Sequence, residues 1–78
     1  MKLTIITSNA TDEHSISWVE LNTPTGNIVI QEKHAPCILE LKPNEPALFQ
    51  LTSGKQQTIN IQHGFAHILR DRITIIIP

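Results

Sequence analysis

The sequence has one cysteine, three aromatic side chains and no long apolar run among its 78 residues. Because Cys37 has no second cysteine to pair with, no disulfide framework exists and a reducing compartment is expected. No apolar run approaches the roughly 20 residues that a membrane helix needs, and the N-terminus turns polar too early for a secretory signal. These absences predict a soluble chain that reaches a membrane only through a partner.

The sequence also lacks an excess of either charge. Six Lys and Arg stand against seven Asp and Glu, and the basic residues are scattered, which argues against a nucleic-acid interface. With so few aromatic side chains, the core must be built from Ile, Leu and Val. A chain of this length buries only just enough surface to offset its entropy. We therefore predict one domain, residues 1–78, that gains stability from a partner.

Short alternating segments separated by turn residues run through the whole chain, and no window of eleven residues has a helical period. Breaks are predicted at 8–12, at 44–46 and at Gly64, where we expect a bulge or tight bend. The pattern predicts an all-β fold, a flattened sandwich or barrel of about eight to ten short strands. The predicted strands are 2–7, 14–22, 26–31, 37–42, 47–52, 56–62, 65–69 and 72–77.

The segment 26–43, GNIVIQEKHAPCILELKP, organises the rest. Gly26 supplies a turn, after which Ile28 and Ile30 point to one side of a strand and Asn27, Val29 and Gln31 to the other. The corner His34-Ala35-Pro36 cannot be helical at Ala35, because the residue before a proline is extended. Two strands that meet at a rigid corner hold its polar tip in place, which favours a docking surface over a mobile lid.

Strand alternation over 14–22 predicts that Ile16, Trp18 and Glu20 face outward, opposite Val19 and Leu21. Tryptophan is enriched at the energetic centres of interfaces. An outward Trp18 therefore contacts a partner or, alternatively, covers an open end of the core.

Three other positions have alternative interpretations. His34 either caps backbone groups of its corner or contacts a partner. Cys37 is interpreted as a small core residue, because nothing electropositive in the sequence marks it as a reactive thiolate. The run Ile75-Ile76-Ile77 makes both faces of the last strand apolar, so this strand is central in its sheet or covered by a partner.

The order of these motifs resembles the N-terminal domain of the epsilon subunit of rotary ATP synthases, over nearly all 78 residues. The resemblance rests on a Val-x-Leu strand, a Gly turn, Ile-x-Ile, the His-Ala-Pro corner and Leu-Lys-Pro. The opening Lys2-Leu3-Thr4-Ile5-Ile6-Thr7, the later Gly64-Phe65 and the closing Arg72-Ile73-Thr74-Ile75 also agree. The family's domain is a flattened sandwich of about ten strands.

The resemblance implies a mechanical role in a proton-translocating ATP synthase, without chemistry, cofactor or metal of its own. Members bind the gamma subunit at the foot of the central stalk and rest on the ring of c subunits, coupling rotation to ATP synthesis. The implied location is peripheral, at the cytoplasmic face of the inner or plasma membrane, through the complex. The predicted contacts with gamma and the c-ring are Trp18, Asn27, Gln31, Lys33, His34, Ala35 and Pro36.

The sequence departs from the family pattern at several positions. Asn27 replaces the usual acidic residue after the turn glycine, Lys33 replaces a small or amide residue, and His63 replaces a glycine. The stretch 29–32 lacks the usual Gly-Ile-Leu-Pro. Many members continue into two C-terminal helices that inhibit the enzyme and in some bind ATP. Since the sequence ends at Pro78 without them, neither inhibition nor nucleotide binding is expected.

The sequence also allows two other functions. A generic adaptor domain, unrelated to ATP synthase, is the stronger of the two. A small metal-binding β-barrel enzyme would need several of the four histidines to converge with Glu32. His63 and His67 would lie about 13 Å apart along a regular strand, whereas one zinc needs both nitrogens within about 2.1 Å. Only a sharp bend at Gly64 could bring that pair together, and no phosphate loop, nucleophile elbow or Cys-x-x-Cys is present.

Overall fold

In the computed structural model, which describes residues 1–78, eight strands account for all the regular structure. This observation confirms the predicted all-β fold, and the strand number lies within the predicted range. The strands are β1 (Lys2–Ile6), β2 (Thr11–Thr23), β3 (Gly26–Gln31), β4 (Cys37–Glu40), β5 (Glu45–Leu51), β6 (Gln56–Ile61), β7 (Phe65–Ile68) and β8 (Arg72–Ile76).

The long strand β2 connects two sheets. Its N-terminal part pairs with β1 in sheet A, whose order is β4-β7-β8-β1-β2. Its C-terminal part pairs with both β3 and β5 in sheet B, whose order is β3-β2-β5-β6. All pairs are antiparallel except β1 with β8, which are parallel. The two sheets therefore form a flattened sandwich.

The core consists of fourteen buried apolar side chains. As predicted from the scarcity of aromatic residues, Ile, Leu and Val supply most of it, and Phe49 is its only aromatic member. No polar or charged residue is buried. The alternating residues Val19, Leu21, Ile30 and Ile61 all face inward as expected, and Cys37 is half-buried against the cluster. Strand periodicity alone therefore placed most of the core.

A β-bulge corrects one predicted orientation. Ile16 pairs with Leu51 of β5, and Trp18 pairs with the adjacent Gln50. Two steps along β2 thus match one step along β5, so Ser17 is an extra residue. Because a bulge resets the alternation of side chains, Ile16 turns inward and is only 1% exposed. The prediction that Ile16 faces outward beside Trp18 was wrong for Ile16, whereas Trp18 remains on the outer face.

Two predicted turns end earlier than expected. Strand β2 begins at Thr11, inside the predicted turn 8–12, and β5 begins at Glu45 and includes Pro46. Proline is tolerated near the first residue of a strand, because the pairing there does not need a hydrogen bond donated by a backbone N–H. The Pro46 carbonyl accepts a hydrogen bond from Asn22 Nδ2 at 3.1 Å, which ties this end of β5 to β2.

Strand β8 resolves the interpretation of the isoleucine run. It lies between β7 and β1, so it is central in sheet A. Ile75 is fully buried, whereas Ile76 is 42% exposed on the outer face of the sheet. The run therefore contributes both to the core and to the molecular surface.

Candidate docking surface

The β2–β3 hairpin positions the candidate surface. Its two-residue turn, Pro24-Thr25, is followed by Gly26 at φ +136°, a backbone conformation that favours glycine. Thr23 Oγ1 donates a hydrogen bond to the Gly26 carbonyl at 2.8 Å and accepts one from the Thr25 N–H at 3.3 Å. These bonds fix the register in which Thr23 pairs with Gly26 and Trp18 with Gln31.

Strand β3 lies at the edge of sheet B. Ile30 is buried, whereas Asn27, Val29 and Gln31 are exposed on the outer face, as the alternation predicted. At the turn end of the strand, Asn27 Nδ2 donates a hydrogen bond to Asn22 Oδ1 at 3.0 Å. The Asn27 amide is thus held by its cross-strand neighbour.

Trp18 lies at the other end of this face. It is half-buried and does not belong to the side chains packed on the core cluster. Together with Glu20, Val29 and Gln31 it lines a shallow depression of about 250 Å³. The indole therefore lies on the outer face of sheet B and does not cover an open end of the core.

The corner 32–36 carries the chain from sheet B to sheet A. The Lys33 N–H donates to the Arg70 carbonyl at 2.8 Å, and the His34 N–H donates to the Gln31 carbonyl at 3.3 Å. Lys33, Ala35 and Pro36 are exposed and His34 is half-buried. Backbone bonds to both neighbouring segments hold the corner in one conformation.

The imidazole of His34 takes part in the corner itself. Its Nδ1 lies 2.7 Å from the Ala35 carbonyl oxygen, so Nδ1–H donates to that carbonyl in the matching tautomer. This contact agrees with the interpretation in which His34 caps backbone groups of its corner. Nε2 makes no hydrogen bond within the chain.

The structure brings some predicted contact residues together and separates others. Trp18 and Gln31 are direct cross-strand neighbours, and Gln31 leads into the corner. Asn27 lies four residues before Gln31, about 13 Å away along the strand. We define the docking strip as Trp18, Asn27, Val29, Gln31 and the corner 32–36. Val29 is exposed between Asn27 and Gln31. It was not among the predicted contact residues, although its alternation with Ile28 and Ile30 places it on the same face.

A second set of exposed side chains was not predicted as a site. Ile76 of β8 pairs with Phe65 of β7 on one side and with Ile6 of β1 on the other, and all three are exposed on the outer face of sheet A. Ile38 on β4 is 72% exposed on the same sheet. We call Phe65, Ile76 and Ile6 the apolar row. The signal was the isoleucine run 75–77, because one face of that strand had to point away from the core.

The left-handed backbone of the corner gives a testable expectation. Lys33 has φ +70°, which costs a residue with a β-carbon roughly 1–2 kcal/mol. Lys33→Gly relieves that strain but makes the unfolded chain more flexible. We expect a net stabilisation of about 0.5 kcal/mol, measured by urea unfolding.

Asn44→Gly is the matched control for this change. Asn44 has φ +61°, but asparagine tolerates this region better than lysine, so its replacement should gain less. A Lys33→Gly variant less stable than the parent protein would contradict the strained conformation of the corner.

The histidines do not converge. No three His, Cys, Asp or Glu side chains lie together in an arrangement that could hold a metal ion. His63 lies in the crossover between β6 and β7 and His67 lies within β7, and both are exposed. None of the chain forms a helix long and apolar enough to cross a membrane.

Comparison with solved structures shows the same fold in two mitochondrial ATP synthases. A chain in the cryo-EM structure of the Euglena gracilis enzyme (OSCP/F1/c-ring, rotational state 1) matches with a TM-score of 0.87 at 19% identity, over 96% of this chain and 48% of that one. A chain of the Tetrahymena thermophila central stalk/c-ring structure matches with a TM-score of 0.78 at 19% identity, over 97% of this chain and 63% of that one. The protein thus spans about half to two thirds of the length of these two chains.

Sequence comparison adds the family. No curated protein matches the chain. The family model described as "ATP synthase, Delta/Epsilon chain, beta-sandwich domain" matches residues 1–77. Because that match covers all but the last residue, the chain belongs to the family of β-sandwich domains of ATP synthase delta/epsilon chains.

Proposed function

We propose that this chain, over residues 1–78, is the non-catalytic β-sandwich domain of a central-stalk subunit, and that it docks the gamma subunit onto the c-ring. The observation that carries the proposal is the family match over residues 1–77. The structural neighbours support it, since one is described as a central stalk/c-ring assembly. In this role the domain couples rotation to ATP synthesis in a proton-translocating complex and is peripheral to the cytoplasmic face of the inner or plasma membrane.

The mechanism is docking by a rigid surface. Strand β3 is paired along its whole length with β2, and the corner is held through the Lys33 N–H and the Arg70 carbonyl. A surface that is already ordered loses little conformational entropy on binding. A stiff sandwich also transmits a rotational force without deforming, which is what a stalk element requires.

A domain placed between two subunits needs more than one contact surface. The docking strip lies on the outer face of sheet B and at the corner, whereas the apolar row lies on the outer face of sheet A. Exposed apolar side chains that adjoin one another are typical of protein-binding surfaces. The two surfaces lie on opposite sides of the sandwich and allow it to contact two neighbours at once.

The docking strip is tested by Trp18→Ala and His34→Ala. Each removes a side chain whose Cα lies in a strand or corner that stays intact, so circular dichroism should be unchanged. We expect affinity for the purified cognate gamma subunit, measured by isothermal titration calorimetry, to fall about 10- to 30-fold for Trp18→Ala, as at an interface centre. A smaller loss is expected for His34→Ala.

Lys55→Ala, an exposed change in the β5–β6 hairpin, is the control and should bind gamma normally. Unchanged affinity in both test variants would show that the docking strip is assigned wrongly, although the family membership would stand. Co-purification with gamma also separates the stalk domain from a generic adaptor, which would not select that subunit.

A further inference from the structure

Within the segments that pair in sheet B, Glu20 is the only charged residue at an outward position. It lies at the centre of the outer face, directly between Val29 of β3 and Leu48 of β5. The other outward positions around it carry Trp18 or amide and hydroxyl side chains, among them Asn22, Gln31, Gln50 and Thr58. A single carboxylate therefore sets the electrostatic character of a face that is otherwise uncharged.

This carboxylate has no partner within the chain. The three ion pairs of the structure are Lys2–Glu13, Lys42–Glu45 and Asp71–Arg72, and the side-chain hydrogen bonds also join other residues. Glu20 is half-buried, with an apolar side chain on either side. The carboxylate is therefore free to pair with a cation that comes from outside the chain.

The outer face of sheet B leaves room beside Glu20 for a planar cation. Glu20 is the wall shared by two shallow depressions, one with Trp18, Val29 and Gln31, of about 250 Å³, and one with Asn22 and Leu48 among its lining residues, of about 310 Å³. Trp18 is two residues away on the same face, roughly 7 Å along the strand. A guanidinium can pair with a carboxylate through two hydrogen bonds and stack on an indole at the same time.

We propose that Glu20 is the specificity residue of the sheet B face and that it receives an arginine side chain from the gamma subunit. This inference rests on the proposed function, and it names the chemistry by which the partner is recognised. The guanidinium forms the ion pair with Glu20 and lies against the Trp18 ring, while Gln31 supplies a neutral hydrogen bond at the rim. A phosphate-rich partner would be repelled by the same carboxylate.

The test is the affinity of the full chain for purified cognate gamma, compared between the parent protein and Glu20→Gln. The replacement keeps the shape of the side chain and removes its charge. We expect the affinity for gamma to fall about tenfold or more, because the neutral glutamine leaves the partner's cation unpaired in the interface. Binding of the parent protein should also weaken with added salt, whereas the residual binding of Glu20→Gln should respond less.

Asp12→Asn is the matched control, since Asp12 is exposed on the part of β2 that pairs with β1, belongs to no ion pair and lies outside the docking strip and the apolar row. It should bind gamma within about twofold of the parent protein, a change too small to mark an interface contact. If the parent protein binds gamma and Glu20→Gln binds equally well, the arginine pairing is wrong and the proposed function stands. If the parent protein itself does not bind gamma, the proposed function fails, and the inference fails with it.

Discussion

Replacing Ile75 by alanine should destabilise the domain by about 2–5 kcal/mol, the largest effect expected from a single change in this chain. Ile75 is fully buried in β8, between Ala66 of β7 and Ile5 of β1. The substitution leaves a cavity that neighbours in three paired strands cannot fill. A domain of this size has a total stability of only about 4–12 kcal/mol, so the variant is expected to lose a substantial fraction of its free energy of unfolding. Urea unfolding followed by circular dichroism measures the loss.

The adjacent residue provides an internal control for this prediction. Ile76 lies in the same strand with the same backbone pairing but points to the outer face and is 42% exposed. Ile76→Ala should cost only about 1 kcal/mol, because a large part of the Ile76 side chain stays in water and its removal leaves no enclosed cavity. Equal losses in the two variants would contradict the assignment of inward and outward faces in β8.

Gly64→Ala should lower the free energy of unfolding by about 1–3 kcal/mol, the usual cost of forcing an atom into occupied space. A β-carbon at position 64 would lie 2.5 Å from the backbone carbonyl oxygen of Ile76. That oxygen belongs to the main chain of a central strand and cannot move as the end of a side chain can. The Gly64 carbonyl also accepts a hydrogen bond from the Leu41 N–H at 3.0 Å, so a shift of Gly64 disturbs a second segment. For a domain of this size the melting temperature should fall by roughly 4–8 °C for each kcal/mol lost.

His63→Ala is the control for Gly64→Ala. It lies in the same crossover, and its side chain is exposed, so the melting temperature should change by no more than a degree or two, as at ordinary surface positions. A Gly64→Ala variant that melts with the parent protein would show that the backbones of Gly64 and Ile76 do not approach as closely as described.

Much of the fold could be predicted from the sequence because each strand carries its own period of two. Alternation identified Val19 and Leu21 as inward residues, and the scarcity of aromatic residues predicted the aliphatic core. The orientation of Ile16 could not be predicted in this way. The bulge at Ser17 lies where β2 passes from sheet A to sheet B, and the position of that passage depends on the pairing of distant strands, which the local sequence does not contain.

The candidate site could be predicted only in part. The Gly26 turn and the Pro36 corner are local signals, and the strip between them followed from residue type and strand periodicity. The proximity of Trp18 to Gln31 and of Glu20 to Val29 depends on the hairpin register, which a two-residue turn sets and which strand alternation alone does not supply. Predicting the apolar row would have required the strand order of sheet A. Phe65, Ile76 and Ile6 come from three strands and meet only because β8 pairs with both β7 and β1.

The central claim is tested most directly by mixing the purified 78-residue chain with the cognate gamma subunit and the c-ring and following the mixture by size-exclusion chromatography. We predict that the three components elute together in one complex and that gamma associates less firmly with the ring when the chain is left out. Elution of the chain by itself, with gamma and the ring associating equally well in its absence, would contradict the account.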